Sequence, residues 1–208
     1  MKKGVFISFE GMEGCGKTTQ IHLLKDYLEK SGYDVVLTRE PGGVSISEQI
    51  RSILLNPDNK EMHPMTELLL YISARSQFFK EIVKPNIDNG KVVIADRSLD
   101  SSTVYQGHAR GLGVDVVDNL NKLVVAEYMP QLTLVLDVED IESAVLAAKK
   151  STGGDGDRLE QEKLDFHSKV RDGYRQITLE NPGRLKLVKR SEIETVHHEI
   201  VSLVKQVL

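Results

Sequence analysis

The chain has 208 residues, with 27 Lys and Arg against 31 Asp and Glu and a formal net charge of −4. That length suits one well-covered core and leaves two independent domains cramped. The charge argues against a protein that coats nucleic acid, the single cysteine, Cys15, rules out an internal disulfide, and no apolar run approaches membrane-spanning length. Met1-Lys2-Lys3 leads into an apolar segment without a cleavable signal pattern. The expectation is a single domain over 1–208, cytoplasmic, with no membrane or nucleic-acid partner.

In chain order, β-rich runs occur at 5–9, 35–38, 92–96, 132–137 and 185–188. Helical patterns separate them. Ile21, Leu24 and Leu28 share one face of a helix that Gly32 is placed to end. Ser45 and Glu48 suggest a capping box ahead of Ile50, Ile53 and Leu54. A long helix is predicted over 67–87, with Pro85 marking its boundary, and others over 114–127, 165–180 and 193–208, the last capped by Ser191 and Glu194. Strands alternating with helices imply parallel pairing with right-handed crossovers, and strands this apolar are covered on both faces.

The most informative string is Gly11-Met12-Glu13-Gly14-Cys15-Gly16-Lys17-Thr18, a phosphate loop of the form G-x-x-x-x-G-K-[ST] between a predicted strand and a predicted helix. Its glycines let successive backbone N–H groups face a polyphosphate, Lys17 reaches the terminal phosphates, and the Thr18 hydroxyl is a Mg²⁺ ligand. The adjoining helix start, with Thr19, adds its positive dipole end. ATP contacts are therefore expected from Gly11 to Thr19. A guanine-specific switch is disfavoured: the nearest match to its N-K-x-D element, Asn121-Lys122-Leu123-Val124, lacks the aspartate, and no D-x-x-G occurs.

Two further strings fall at strand ends, where ligands collect in open α/β sheets. Arg39-Glu40-Pro41-Gly42-Gly43 offers a guanidinium fork for a second anion. Asp96-Arg97 puts a carboxylate at the tip of an apolar strand, where it needs a cation or donors; Mg²⁺-bound water beside Thr18 would satisfy Asp96, and Arg97 would hold an acceptor phosphate in line with the donor. A charged, glycine-rich segment at about 148–158, containing Gly153, Gly154 and Arg158, reads as a closing lid that brings cations over the transferring phosphoryl group.

With these strings in place, the chain resembles the thymidylate kinases over essentially its whole length: Phe-Glu-Gly-Met-Glu-Gly-Cys-Gly-Lys-Thr-Thr at 9–19, Thr-Arg-Glu-Pro-Gly-Gly at 38–43, Ala74-Arg75, Asp96-Arg97, Ser101-Ser102 with Tyr105-Gln106-Gly107, and Asp157-Arg158-Leu159-Glu160. The resemblance implies a P-loop NTPase-type three-layer α/β fold, a five-stranded parallel sheet with helices on both faces, and transfer of the γ-phosphoryl group of ATP to dTMP with Mg²⁺. It implies a homodimer formed by helices on one sheet face. Among site residues it implies that Tyr71 stacks on thymine, Arg75 reaches a thymine carbonyl, and Ser102 and Gln106 bond the base edge. Tyr105 would crowd the sugar 2′ position, Glu13 would meet the acceptor 3′-hydroxyl, and Arg39 and Arg97 would hold the monophosphate. Lys17, Asp96, Arg97 and Arg158 form the expected catalytic set, with Thr18 and Asp96 at the metal. Three positions depart from the family pattern: the lid has glycines where an arginine is expected, Ser98 replaces a larger ring, and Lys189-Arg190 replaces an acidic-small pair. A kinase of another deoxynucleotide, or a catalytically weak nucleotide-binding regulator, is the alternative.

Overall fold

The computed structural model describes residues 3–152 and 156–208. Strands β1 (Val5–Glu10), β2 (Val35–Arg39), β3 (Val92–Asp96), β4 (Leu132–Asp137) and β5 (Leu185–Lys189) form one parallel sheet in the order β2-β3-β1-β4-β5. β1 is central, and the chain crosses to both of its sides, which opens a crevice beyond its carboxyl end.

Strand alternation divides the core. Val5, Ile7 and Phe9 join the cluster built on helix α1 (Lys17–Lys30) and α9 (Ile193–Val204), through Ile21, Leu24, Leu28, Val196 and Ile200. Phe6 points to the other side, with Val93 and Ala95, into a cluster of Phe78, Phe79, Val83 and Ile87. Two polar residues inside the strands, Ser8 and Thr133, are fully buried and satisfied: their hydroxyls pair at 2.8 Å, and Thr133 donates at 2.9 Å to Asp100, which also accepts two guanidinium bonds from Arg184.

Helix α2 (Ser45–Leu55) starts at Val44 without a side-chain cap, so the predicted Ser45/Glu48 box does not form. Glu48 reaches back instead to the Gly43 N–H at 2.7 Å and to Arg39. The Ser191/Glu194 cap is likewise absent, the N-cap of α9 being Glu192 with no side-chain bond. The predicted long helix is a composite: α3 (Pro64–Phe78), a π-helical turn (Phe79–Val83) and α4 (Lys84–Asp88). Pro85 therefore does not end it. The widened turn just before absorbs the missing N–H and relieves the ring's clash with the preceding turn. Helix α5 (Leu99–Ser102) continues as a second π-helical stretch (Thr103–Ala109), followed by α6 (Val114–Val125), α7 (Ile141–Thr152) and α8 (Leu164–Glu180). Of the expected lid, Gly153 and Gly154 lie outside the described residues.

Phe6 is fully buried at the centre of the sheet and meets Phe79 edge-on, with centroids 5.6 Å apart. Phe6→Ala is expected to cost about 3–5 kcal/mol, measured as a lower urea midpoint at unchanged m-value.

Candidate active site

The loop between β1 and α1 is shaped by its glycines at two points. Gly14, at φ 70°, lies so close to α7 that a Cβ would sit 2.0 Å from the Ala144 carbonyl oxygen, whereas Gly16, at φ 95°, faces open space. One side of the loop is thus pinned to the scaffold and the other is accessible. Lys17 is buried and folds over the loop, donating to the carbonyls of Gly11 and Met12, both at 3.0 Å, and contacting the Cys15 sulfur at 3.6 Å.

Strand parity assigns the rim residues to two clefts. Arg39 pairs in register with Asp96, and Asp96 with Phe9, so all three project to the α1 side of the sheet. Arg39, Asp96 and Thr18 line one cleft there, with His22 and Gly43. Arg39 is half exposed and its guanidinium is held by Glu48 at 2.9 and 3.1 Å. Glu10 alternates with Phe9 to the other face of β1, and Glu40 and Arg97, just past the ends of β2 and β3, turn away from this cleft.

On that side lies a second cavity, lined by Tyr71, Arg75, Ser102, Tyr105 and Gln106, together with Glu13, Glu40 and Arg97. It contains every expected acceptor-site residue except Arg39. Arg75 is almost fully buried and donates from Nε to Glu40 at 2.7 Å, from Nη1 to Ser102 and Asn121 at 3.0 and 2.8 Å, and from Nη2 to the Ser98 carbonyl at 3.2 Å. Burial raises the Glu40 carboxyl; the Arg75 charge and the Ser98 hydroxyl oppose that rise. Tyr71 is buried one helical turn before Arg75, and burial raises its phenol, so it is neutral in the working pH range.

Arg97 connects the cavity to the phosphate loop. Its backbone has φ 70°, a left-handed conformation uncommon for a side chain-bearing residue and often found at functional sites. Its Nη2 meets Glu13 at 2.7 Å and its Nη1 donates to Ser101 and Tyr174, each at 3.2 Å. Tyr105 also donates to Glu13, at 2.8 and 3.0 Å. Burial works against the Glu13 carboxylate, but Arg97 and Lys17 hold it below its ordinary range.

Arg158 lies elsewhere. It is buried, bonded through Nη1 to Glu67 at 2.6 Å and through Nε to the Leu54 carbonyl at 2.8 Å, and it lines a separate cavity with Lys60, Arg110 and Glu162. The expectation that Arg158 serves as a lid cation over the phosphates is therefore corrected: paired with a buried carboxylate, it braces α3 against the segment that follows α7. The Lys189-Arg190 departure falls beside a fourth cavity, lined by Cys15, Gly16, Thr19, Gln20 and Ser191.

Four residues escaped the sequence reading: Glu10, Glu40, Glu67 and Tyr174. Glu10 has no exposed surface and accepts from the Ser98 N–H at 2.7 Å, from Ser101 at 2.6 Å and from Tyr174 at 2.7 Å. The signal for it was present, since a carboxylate ending an apolar strand invites the argument applied to Asp96. The Glu10 carboxyl is pushed up to about 7, chiefly by burial and then by Asp100, against the pull of Arg97, Ser101 and Tyr174.

The ordinary value for Glu10 is 4.5, so the folded chain keeps a proton that the unfolded chain releases between 4.5 and about 7. Stability from this group is thus highest at low pH and falls as pH rises through that window. Glu10→Gln removes the titration, and its stability relative to wild type should improve from about pH 5 to about pH 8 in urea unfolding. Parallel curves for the two proteins would contradict the assignment.

A family profile described as thymidylate kinase matches residues 9–200. The thymidylate kinase of Thermoanaerobacter sp. (strain X514) is 45% identical over 207 residues, covering 99% of this chain and 100% of the relative. That of Clostridium novyi (strain NT) is 45% identical over 206 residues, with the same coverage. The crystal structure of thymidylate kinase from Ehrlichia chaffeensis superposes with a TM-score of 0.79 at 34% identity, covering 98% of this chain and 99% of that one. A phosphate loop joined through Arg97 to a cavity lined by Tyr71, Arg75 and Gln106, on a scaffold matched from end to end, places this chain in the thymidylate kinase family.

Proposed function

We propose that this chain transfers the γ-phosphoryl group of ATP to dTMP, giving dTDP and ADP. The observation that carries the proposal is the cavity of Tyr71, Arg75, Ser102, Tyr105 and Gln106, which shares Glu13 with the phosphate loop and also holds Arg97, paired with Glu13 at 2.7 Å. An aromatic wall with an amide, a hydroxyl and a guanidinium suits a flat polar base, and a site built to bond such an edge penalises bases with the wrong donor pattern. The reading as a kinase of another nucleotide, or as an inactive regulator, gains no support from the family match.

In this reading the triphosphate lies along Gly11 to Thr19, and the donor base lies toward the cavity beside Lys189, Arg190 and Ser191. Lys17 leaves the Gly11 and Met12 carbonyls to bind phosphate oxygens. Arg97 exchanges part of its contact with Glu13 for the acceptor phosphate, and Glu13, still held by Tyr105, turns to the acceptor sugar. The acceptor cavity, of about 80 Å³, is lined by the same Arg97 and Glu13 side chains that move in this reading. Arg39 acts from the neighbouring cleft, reaching the phosphates after release from Glu48. Thr18 and Asp96 face one cleft; a hydroxyl and a carboxylate fit Mg²⁺, which takes few protein ligands and otherwise binds phosphates and water. When bound, Mg²⁺ neutralises charge on the phosphates. The chain's own part is positioning and charge stabilisation, because a loose phosphoryl transition state asks for little covalent help.

The proposal also comprises a single domain over 1–208, a cytoplasmic location without nucleic-acid or membrane partners, and a homodimer. No helix among the described residues is long and apolar enough to cross a membrane. For the dimer, α3 and α6 carry the supporting surface: Leu69, Val116 and Leu123 are exposed, the last at 81%, beside the buried Leu68, Ile72 and Val117.

The test is a coupled assay with ATP and each deoxynucleoside monophosphate; dTMP should be preferred, and equal rates on dCMP or dGMP would refute the thymine assignment. Lys17→Ala should lower kcat by about 10²–10³-fold with little change in dTMP affinity, and an equal loss in both would refute charge stabilisation. Arg97→Ala should cost on the order of 10²-fold in rate through lost alignment; unchanged turnover would remove Arg97 from the site. Sedimentation at micromolar concentration tests the dimer.

A further inference from the structure

Glu67, in the first turn of α3, is 1% exposed and lies outside the acceptor cavity. Its carboxylate accepts from four donors: Gln106 Nε2 at 2.8 Å, Arg110 Nε and Nη2 at 3.3 and 3.2 Å, and Arg158 Nη1 at 2.6 Å. Burial pushes this carboxyl up, but the hydrogen bonds from Gln106 and Arg110 and the charges of Arg110 and Arg158 outweigh it and hold it below its ordinary range. An ionised carboxylate only accepts hydrogen bonds. Of the two ends of the Gln106 amide, only the NH₂ end can therefore face Glu67, which leaves Oε1 as the end available to the cavity that Gln106 lines.

We infer that Glu67 is a specificity-positioning residue: by accepting from Gln106 Nε2 it fixes the amide so that the cavity presents an acceptor, and thereby favours a pyrimidine that carries N3–H over one with a lone pair at N3. The inference rests on the acceptor reading above, in which Gln106 meets the base edge. Arg158 and Arg110 take part indirectly, by keeping Glu67 charged. Without Glu67's charge, the amide is free to turn its NH₂ into the cavity.

The experiment compares wild type with Glu67→Gln on three acceptors, by kcat/KM in the coupled assay: dTMP and dUMP, which both have N3–H, and dCMP, which has the lone pair. The variant should raise the dCMP:dTMP ratio on the order of 10-fold, the worth of about one hydrogen bond to a buried polar group, while leaving dUMP:dTMP unchanged. General loosening of the cavity would move both ratios together, and that result, or neither ratio moving, overturns the inference. Glu67→Gln leaves Arg158 buried without a charge partner, so thermal melting is read alongside. If that variant does not fold, the double variant Glu67→Gln/Arg158→Gln, which removes both charges, is judged by the same two ratios. Wild-type protein that does not phosphorylate dTMP sinks the acceptor reading and this inference with it, whereas an active wild type with unchanged discrimination in the variant sinks the inference alone.

Discussion

The guanidinium of Arg97 is where the two halves of the site meet. Its contact with Glu13 ties the cavity of Tyr71 and Arg75 to the phosphate loop, and its bonds to Ser101 and Tyr174 tie both to the buried carboxyl of Glu10. Holding that position requires a left-handed backbone at a residue with a side chain, a conformation that costs on the order of 1–3 kcal/mol. The surroundings that impose it are the Ser98 N–H on Glu10 and the Arg97 N–H on the Phe9 carbonyl, at 2.7 and 2.9 Å. Remove either anchor and the backbone can relax, carrying the guanidinium away from the loop.

Strand geometry sorts the residues of this rim between two clefts. Successive side chains alternate across a sheet, so Phe9, Arg39 and Asp96, which are in register, share one face, whereas Glu40 and Arg97, just past the strand ends, line the cavity. The two buried acids on the cavity side act as orienters. Glu40 fixes Arg75, and Glu10 fixes the turn that carries Arg97. Both accept from two or three donors, yet burial outweighs those bonds and raises both carboxyls above their ordinary range.

The five strands and the phosphate loop were legible because their signals are local: apolar runs of strand length, and a loop whose residues are consecutive. That Tyr71, Arg75, Ser102 and Gln106 line one cavity was expected only through family resemblance, since they are far apart in sequence and meet by tertiary packing. Arg39 shows where local reading stopped short. The sequence placed it at the right rim, but its side of the sheet depends on register with Asp96, which no short string encodes. The capping boxes failed for a related reason: Glu48 had better partners in Arg39 and the Gly43 N–H than in its own helix start. Pro85 was read as a stop because a proline removes a helical bond, and the π-helical turn that accommodates it leaves no mark in hydrophobic periodicity. Glu67 had no signal at all, being one acidic residue in the first turn of a helix, where acids are common for reasons of dipole alone.

The central claim is that dTMP and ATP approach each other across Arg97. A crystal structure with dTMP and a nonhydrolysable ATP analogue tests it most directly. The dTMP phosphate should lie within hydrogen-bond distance of the Arg97 guanidinium, its base between Tyr71 and Gln106, and the triphosphate along Gly11 to Thr19. A dTMP phosphate bound by Arg39 alone, with Arg97 still closed on Glu13 and no base beside Tyr71, would contradict it.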